Sequence, residues 1–154
     1  TNFTGGTNMK IVEKLVVLNN EENLSKDEVI KLLATKLLEA GYLNDYEEYL
    51  NSVYKREEIA ATTVGYGIGL PHGKGACVKE SVVAFMRVKN PVLWNLQENE
   101  KVKVIFMLAV SEKDGQVLHN DTLVELSKKI LNEKFREKIE TSNNIEEIVQ
   151  LINS

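Results

Sequence analysis

The sequence predicts a single α/β domain, and three observations carry that prediction. Stretches of helical periodicity alternate with short apolar runs of strand length. The 154 residues suffice for one sizeable core and are too few for two comfortable ones. No repeat, linker or low-complexity block divides the chain.

The elements follow in order. Residues 1–8 lack the basic and apolar blocks of a signal peptide, so they read as a tag remnant ahead of a domain spanning 9–154. Ile11 to Leu18 alternates loosely and ends in an apolar run, which predicts a strand. Ser25-Lys26-Asp27-Glu28 is a capping box, in which the serine oxygen meets the N3 amide and Glu28 reaches back. Val29, Leu32, Leu33, Leu37 and Leu38 then recur at helical spacing until Gly41 stops the helix. Asp45 caps a second helix running through Tyr49 and Val53 towards Arg56. Ser81 to Val88 and Val102 to Val110 read as buried strands with Pro91 and Trp94 between them. A capped helix is expected from about Asn120, and two short ones at 135–139 and 145–152.

Composition excludes several functions. A net charge of -4 gives no bulk basic face for a nucleic-acid partner. Cys77 is the one cysteine, so no intramolecular disulfide forms and a four-cysteine zinc site is ruled out, which fits a reducing cytoplasm. No apolar run approaches the roughly 20 residues that span a bilayer.

Between Thr62 and Gly75 the texture changes, with five of the nine glycines crowded around Pro71-His72-Gly73. Glycine lets backbone approach a ligand closely, so Gly73 leaves room beside His72 for a bulky anion on a stiff loop. A neutral imidazole is a nucleophile at cell pH, and the hydroxyls of Thr62 and Thr63 could donate to phosphoryl oxygens. The rival reading is a glycine-rich turn with an incidental histidine. Two nucleotide motifs fail on spacing. Gly69 stands one residue too close to Gly73-Lys74 for a phosphate-binding P-loop, and Leu70 or His72 occupies the third glycine position of a dinucleotide fingerprint. His72, Cys77 and His119 lack metal-ligand spacing, so no metal and no cofactor is expected.

Arg56-Glu57, Thr62, Gly65 and Leu70-Pro71-His72-Gly73, at their spacings, resemble the active-site signature of the fructose/mannitol family of phosphotransferase-system enzyme IIA. The resemblance runs through nearly the whole chain from Met9. It departs at Ala61, Thr63, Gly69 and Asn120, which bear on the sugar rather than on the phosphoryl role. It implies a mixed central sheet of about five strands flanked by helices. It also implies that His72 accepts a phosphoryl group on Nε2 from phospho-HPr and passes it to enzyme IIB, with membrane enzyme IIC engaged indirectly. The sugar would be a hexose or hexitol. The alternative within the family is a nitrogen-related regulator that acts by binding partner proteins. A homo-oligomer remains open.

Roles of the remaining residues have competing readings. His119 would donate to the phosphoryl oxygens, or be a surface loop histidine. Arg56 would offer a bidentate guanidinium, or be a cation at a helix end. Glu57 reads as an ion-pair partner, and Cys77 as a small core or loop thiol. Ile68, Leu70, Val78 or nearby aromatics are expected in an exposed apolar collar over which donor and acceptor dock, with core packing as the rival for each.

Overall fold

In the computed structural model, residues 9–154 are described; the expected tag remnant, 1–8, lies outside them. A 3-10 turn, Glu13–Leu15, leads into β1, Val16–Asn20. Then come α1 (Lys26–Glu39), α2 (Tyr46–Ile59), β2 (Ile68–Gly69), β3 (His72–Gly75), β4 (Val82–Asn95), β5 (Glu100–Ser111), α3 (Gly115–Leu131), α4 (Glu133–Thr141) and α5 (Ile145–Asn153). The architecture is the expected α/β domain with a mixed five-stranded sheet.

Strand order is β1-β4-β5-β2, with β3 also on the free edge of β5. β4 and β5 form the antiparallel centre, whose shared stretch is buried on both faces and includes the edge-to-face pair Phe85–Phe106 at 5.2 Å. β1 runs parallel to β4, and β2 and β3 run parallel to β5. The pairs Ile68↔Val104 and His72↔Leu108 share one register, so β2 and β3 are a single edge strand interrupted at Leu70-Pro71. That interruption follows from proline chemistry, since Pro71 has no N–H for a ladder.

The capping predictions for the first two helices hold. Ser25 accepts from the Glu28 amide while Glu28 returns to the Ser25 amide, and Asp45 accepts from the Glu48 amide. Four boundaries differ from expectation. The first strand begins at Val16, because residues 13–15 wind into the 3-10 turn. β4 continues through Pro91 and Trp94, because a register shift between Arg87 and Val92 takes the proline out of the ladder. The third helix starts at Gly115, so Asn120 lies within it. The histidine loop is in fact a strand, β3, held by β5.

Ahead of β2, Gly65, Tyr66 and Gly67 all have positive φ, of 81°, 58° and 72°. Glycine is at ease there; Tyr66 is not, and the Arg136 guanidinium from α4 lies 4.0 Å from its ring centroid. The coiled turn shortens the path from α2 to the sheet edge and delivers the chain in register with β5.

Candidate functional site

Strand alternation explains how the site is assembled. Successive residues of β3 point to opposite faces of the sheet. Gly73 faces α2 so closely that an added Cβ would lie 2.9 Å from Tyr49 Cε1 and 3.0 Å from Val53 Cγ2. His72 therefore faces the other side, where α3 crosses, and its ring centroid is 4.6 Å from that of His119 at an interplanar angle of 56°. Lys74 shares the His72 side by the same alternation.

The His72 ring is half-buried, so it is open to solvent on part of its surface. Its Nδ1 lies 3.0 Å from the carbonyl oxygen of Leu70. A carbonyl only accepts, so Nδ1 carries the proton and Nε2 keeps the lone pair. Burial pulls this imidazole below its ordinary range, opposed by the Leu70 bond and by Glu57, and reinforced by the charges of Arg56 and Lys74. The ring is thus neutral and nucleophilic at neutral pH. His119 is only 6% exposed, and burial, followed by His72, Lys74 and Arg56, pushes it down to about 4. It lies in the second turn of α3 and is a buried site neighbour, not a surface loop histidine.

Arg56 sits near the C-terminal end of α2, donating from Nη1 to the Ala60 carbonyl at 3.0 Å, and its charge reaches both imidazoles. The contact to Ala60 is that of a cation at a helix end. Glu57 faces inwards: its carboxylate meets Lys26 Nζ at 2.6 Å and accepts from the Thr62 amide and hydroxyl.

Three expectations require correction. The hydroxyls of Thr62 and Thr63 are given to the carboxylates of Glu57 and Glu100, so neither proton points at a ligand. The space at Gly73 is taken by Tyr49 and Val53 rather than by an anion. Ile68, Leu70 and Val78 are buried in the core, because the edge strand and its flanking turn pack inward. Near His72 and His119 in sequence, the large side chains with apolar surface left exposed are Ile59, 79% accessible, Tyr66, 53%, and Val117, 72%. Cys77 is buried, in line with a loop thiol that packs. In the sequence Lys74 enters only through a failed P-loop; once His72–Gly75 is seen as a strand, its place two residues after His72 sets its charge beside both imidazoles. Among the described residues, no group of three or more metal-ligating side chains forms, and no helix is long and apolar enough to cross a membrane.

Compared with known proteins, residues 10–154 match the family model described as phosphoenolpyruvate-dependent sugar phosphotransferase system, EIIA 2. The chain is 31% identical over 134 residues to a phosphotransferase-system fructose-specific EIIA component of Haloferax volcanii, covering 86% of each. It is 32% identical over 148 residues to the fructose-specific EIIABC component of Bacillus subtilis, covering 94% of this chain and 23% of that one. The chain thus spans about a quarter of the length of such longer relatives. Among solved structures, nitrogen regulatory protein IIA-Ntr from Neisseria meningitidis superposes with a TM-score of 0.81 at 26% identity, covering 92% of this chain and 95% of that one.

Proposed function

Because the chain belongs to the EIIA type-2 family of the phosphoenolpyruvate-dependent sugar phosphotransferase system, a family of phosphotransferase components, we propose that His72 is its phosphoryl carrier. The donor is phospho-HPr and the acceptor a cysteine of an enzyme IIB, which serves uptake of a hexose or hexitol of the fructose/mannitol type. The observation that supports this most is the Leu70 carbonyl on Nδ1, which leaves the Nε2 lone pair on a partly exposed histidine.

In the transfer, the Nε2 lone pair attacks phosphorus as the donor's N–P bond breaks, and that bond's electron pair returns to the donor ring. Such transfers depend on in-line placement and on stabilising the charge spread over the equatorial oxygens. The Nδ1–H stays on the Leu70 carbonyl and stabilises the positive charge that the ring gains on N-phosphorylation. Arg56 and Lys74 supply cationic charge beside the incoming group, and His119 supplies a polar ring at its flank. On the return step the thiolate of the acceptor attacks phosphorus, the Nε2–P bond breaks, and its electrons restore neutral His72. A partner docking over His72 would cover exposed apolar surface of the kind that Ile59, Tyr66 and Val117 present.

Incubation with phosphoenolpyruvate, enzyme I and HPr tests the proposal, with intact-mass measurement as readout. The wild type should gain one phosphoryl group and His72→Ala, still folded, none. A wild type that gains nothing, or a His72→Ala variant that gains as much, refutes it. A second reading is favoured by the likeness to IIA-Ntr at 26% identity: a regulator that keeps its phosphoryl group and acts by binding partner proteins. Adding a panel of IIB domains separates the two, since only the carrier loses its phosphoryl group to one of them.

A further inference from the structure

We propose that Glu57, neutralised by Lys26, is a positioning residue that fixes the tautomer and aim of the His72 ring through Thr62 and Leu70; this rests on the carrier role of His72. The connection is continuous in hydrogen bonds. Lys26 Nζ lies 2.6 Å from Glu57 Oε1. Glu57 accepts from the Thr62 amide at 3.2 Å with one oxygen and from the Thr62 hydroxyl with the other. The Thr62 carbonyl accepts from the Leu70 amide at 2.8 Å, and the Leu70 carbonyl holds His72 Nδ1 at 3.0 Å.

The position of each member explains why the chain needs this device. Leu70 and Pro71 lie where the edge strand leaves its ladder, so the ladder does not orient the Leu70 carbonyl. Something outside the sheet must, and Thr62 is what binds the Leu70 amide. Thr62 follows the end of α2 and is 6% exposed, so its free amide and hydroxyl need an acceptor. Glu57, in the last turn of α2, satisfies both with two oxygens. A carboxylate whose side chain is 8% exposed needs a counter-charge, and Lys26 supplies it. Lys26 is itself anchored by the Trp94 carbonyl at 3.0 Å, with its ammonium 4.9 Å from the Trp94 ring centroid. Trp94 also closes the other side of the turn, since a Cβ added at Gly69 would lie 3.0 Å from its ring. Along the hydrogen bonds the effect is mechanical, while the Glu57 charge also acts on the ring through space. Thr62 donates from one peptide unit and accepts on the next, as Leu70 does, so polarisation is not relayed but direction is.

Glu57 touches no reacting atom, and its test needs a readout that loss of packing or charge alone would leave in place. Nitrogen-15 NMR of the unphosphorylated protein reports which His72 nitrogen bears the proton. In the wild type the Nδ1–H form should dominate. Glu57→Gln should raise the Nε2–H fraction several-fold and slow phosphoryl gain from phospho-HPr about tenfold, with KM for phospho-HPr little changed. Thr62→Val, which keeps the Glu57 charge, should shift the tautomer in the same direction by a smaller amount, and Thr62→Ser should restore it. If Glu57→Gln fails to fold, Lys26→Met, at a side chain a quarter exposed, carries the same comparison. An unchanged tautomer in the folded Glu57 or Lys26 variant overturns the proposal, as does a rate loss that Thr62→Val does not share. The NMR measurement stands even if the wild type accepts no phosphoryl group, so failure of the carrier role and failure of the positioning role are told apart.

Discussion

Lowering the pH from 7 to 4 should cost the wild-type fold about 3 kcal/mol more than it costs a His119→Gln variant. The number comes from one side chain. His119 is 6% exposed in the fold and is pushed down from 6.5 to about 4, first by burial and then by the charges of His72, Lys74 and Arg56. Above pH 6.5 the ring is neutral in both the folded and the unfolded chain, so it adds no pH dependence. As pH falls through 6.5 the unfolded chain takes up a proton that the folded one refuses, and stability declines until the folded value near 4 is reached. That window of about 2.5 pH units, at about 1.4 kcal/mol per unit and less about 0.4 kcal/mol because the folded ring is itself half protonated at pH 4, gives the stated difference. Carboxylates such as Asp27 and Asp114, whose hydrogen bonds to Tyr54 and Ser81 lower them, also destabilise the acid form, but equally in both proteins. Urea unfolding at half-unit steps of pH isolates the His119 contribution as the divergence between the two curves. Parallel curves, within about 1 kcal/mol, would mean that His119 is protonated freely in the fold and that its placement against His72 is wrong.

Other perturbations probe the frame around the site. Gly73→Ala should cost about 1–3 kcal/mol in thermal or urea unfolding, because its Cβ would press on Tyr49, whose ring is fully buried and whose hydroxyl is fixed to the Leu108 carbonyl at 2.8 Å. Arg56→Ala removes an exposed contact to Ala60 and should change stability by less than about 0.5 kcal/mol, while phosphoryl gain slows about tenfold or more. An unfolded Arg56→Ala variant, or unchanged transfer, would count against a place for it in the site. Ser25→Ala should lower stability by about 1 kcal/mol through loss of the capping box, with transfer rates unaffected.

The helices of this protein were legible because their signals are local. Ser25 with Glu28, and Asp45 ahead of Tyr49 and Val53, state a start and a buried face within a few residues. Lys138 and Arg136 likewise sit on a short helix whose Phe135 and Ile139 mark its inner side. His72 stood out by its glycine and proline neighbours, but its strand did not. His72-Gly73-Lys74-Gly75 has no apolar alternation, and its extended form is imposed by pairing with β5 and by α2 above it. For the same reason Gly73 reads in sequence as space for a ligand and is in the fold a close approach of helix to strand. The start of α3 was hidden because Asp114 spends its carboxylate on the hydroxyls of Ser81 and Ser111 instead of capping its own helix, leaving Asn120 as the more familiar signal. Ile68, Leu70 and Val78 were misplaced because apolar residues near a reactive histidine fit a docking rim and a core equally well until the direction of the edge strand is known.

The two imidazoles also suggest why the site is built from neutral rings rather than from fixed cations alone. With His72 and His119 both uncharged, the resting pocket carries the charges of Arg56 and Lys74 nearby and avoids placing a third and fourth cation in a confined space. A phosphoryl group brings about -1.5 to -2 units of charge. With ring centroids 4.6 Å apart, that charge would lie on the order of 5 Å from His119. At an effective dielectric between about 20 and 80, the attraction raises the His119 pKa by about one to five pH units. Where the rise exceeds about three units, His119 takes up a proton as the phosphoryl group arrives and releases it as the group leaves, so the pocket adjusts its charge to its load. The measurable consequence is a His119 titration that moves upward on phosphorylation of His72. A titration that stays near pH 4 in the phosphorylated protein would show that the group points away from α3 and that Arg56 and Lys74 balance it alone.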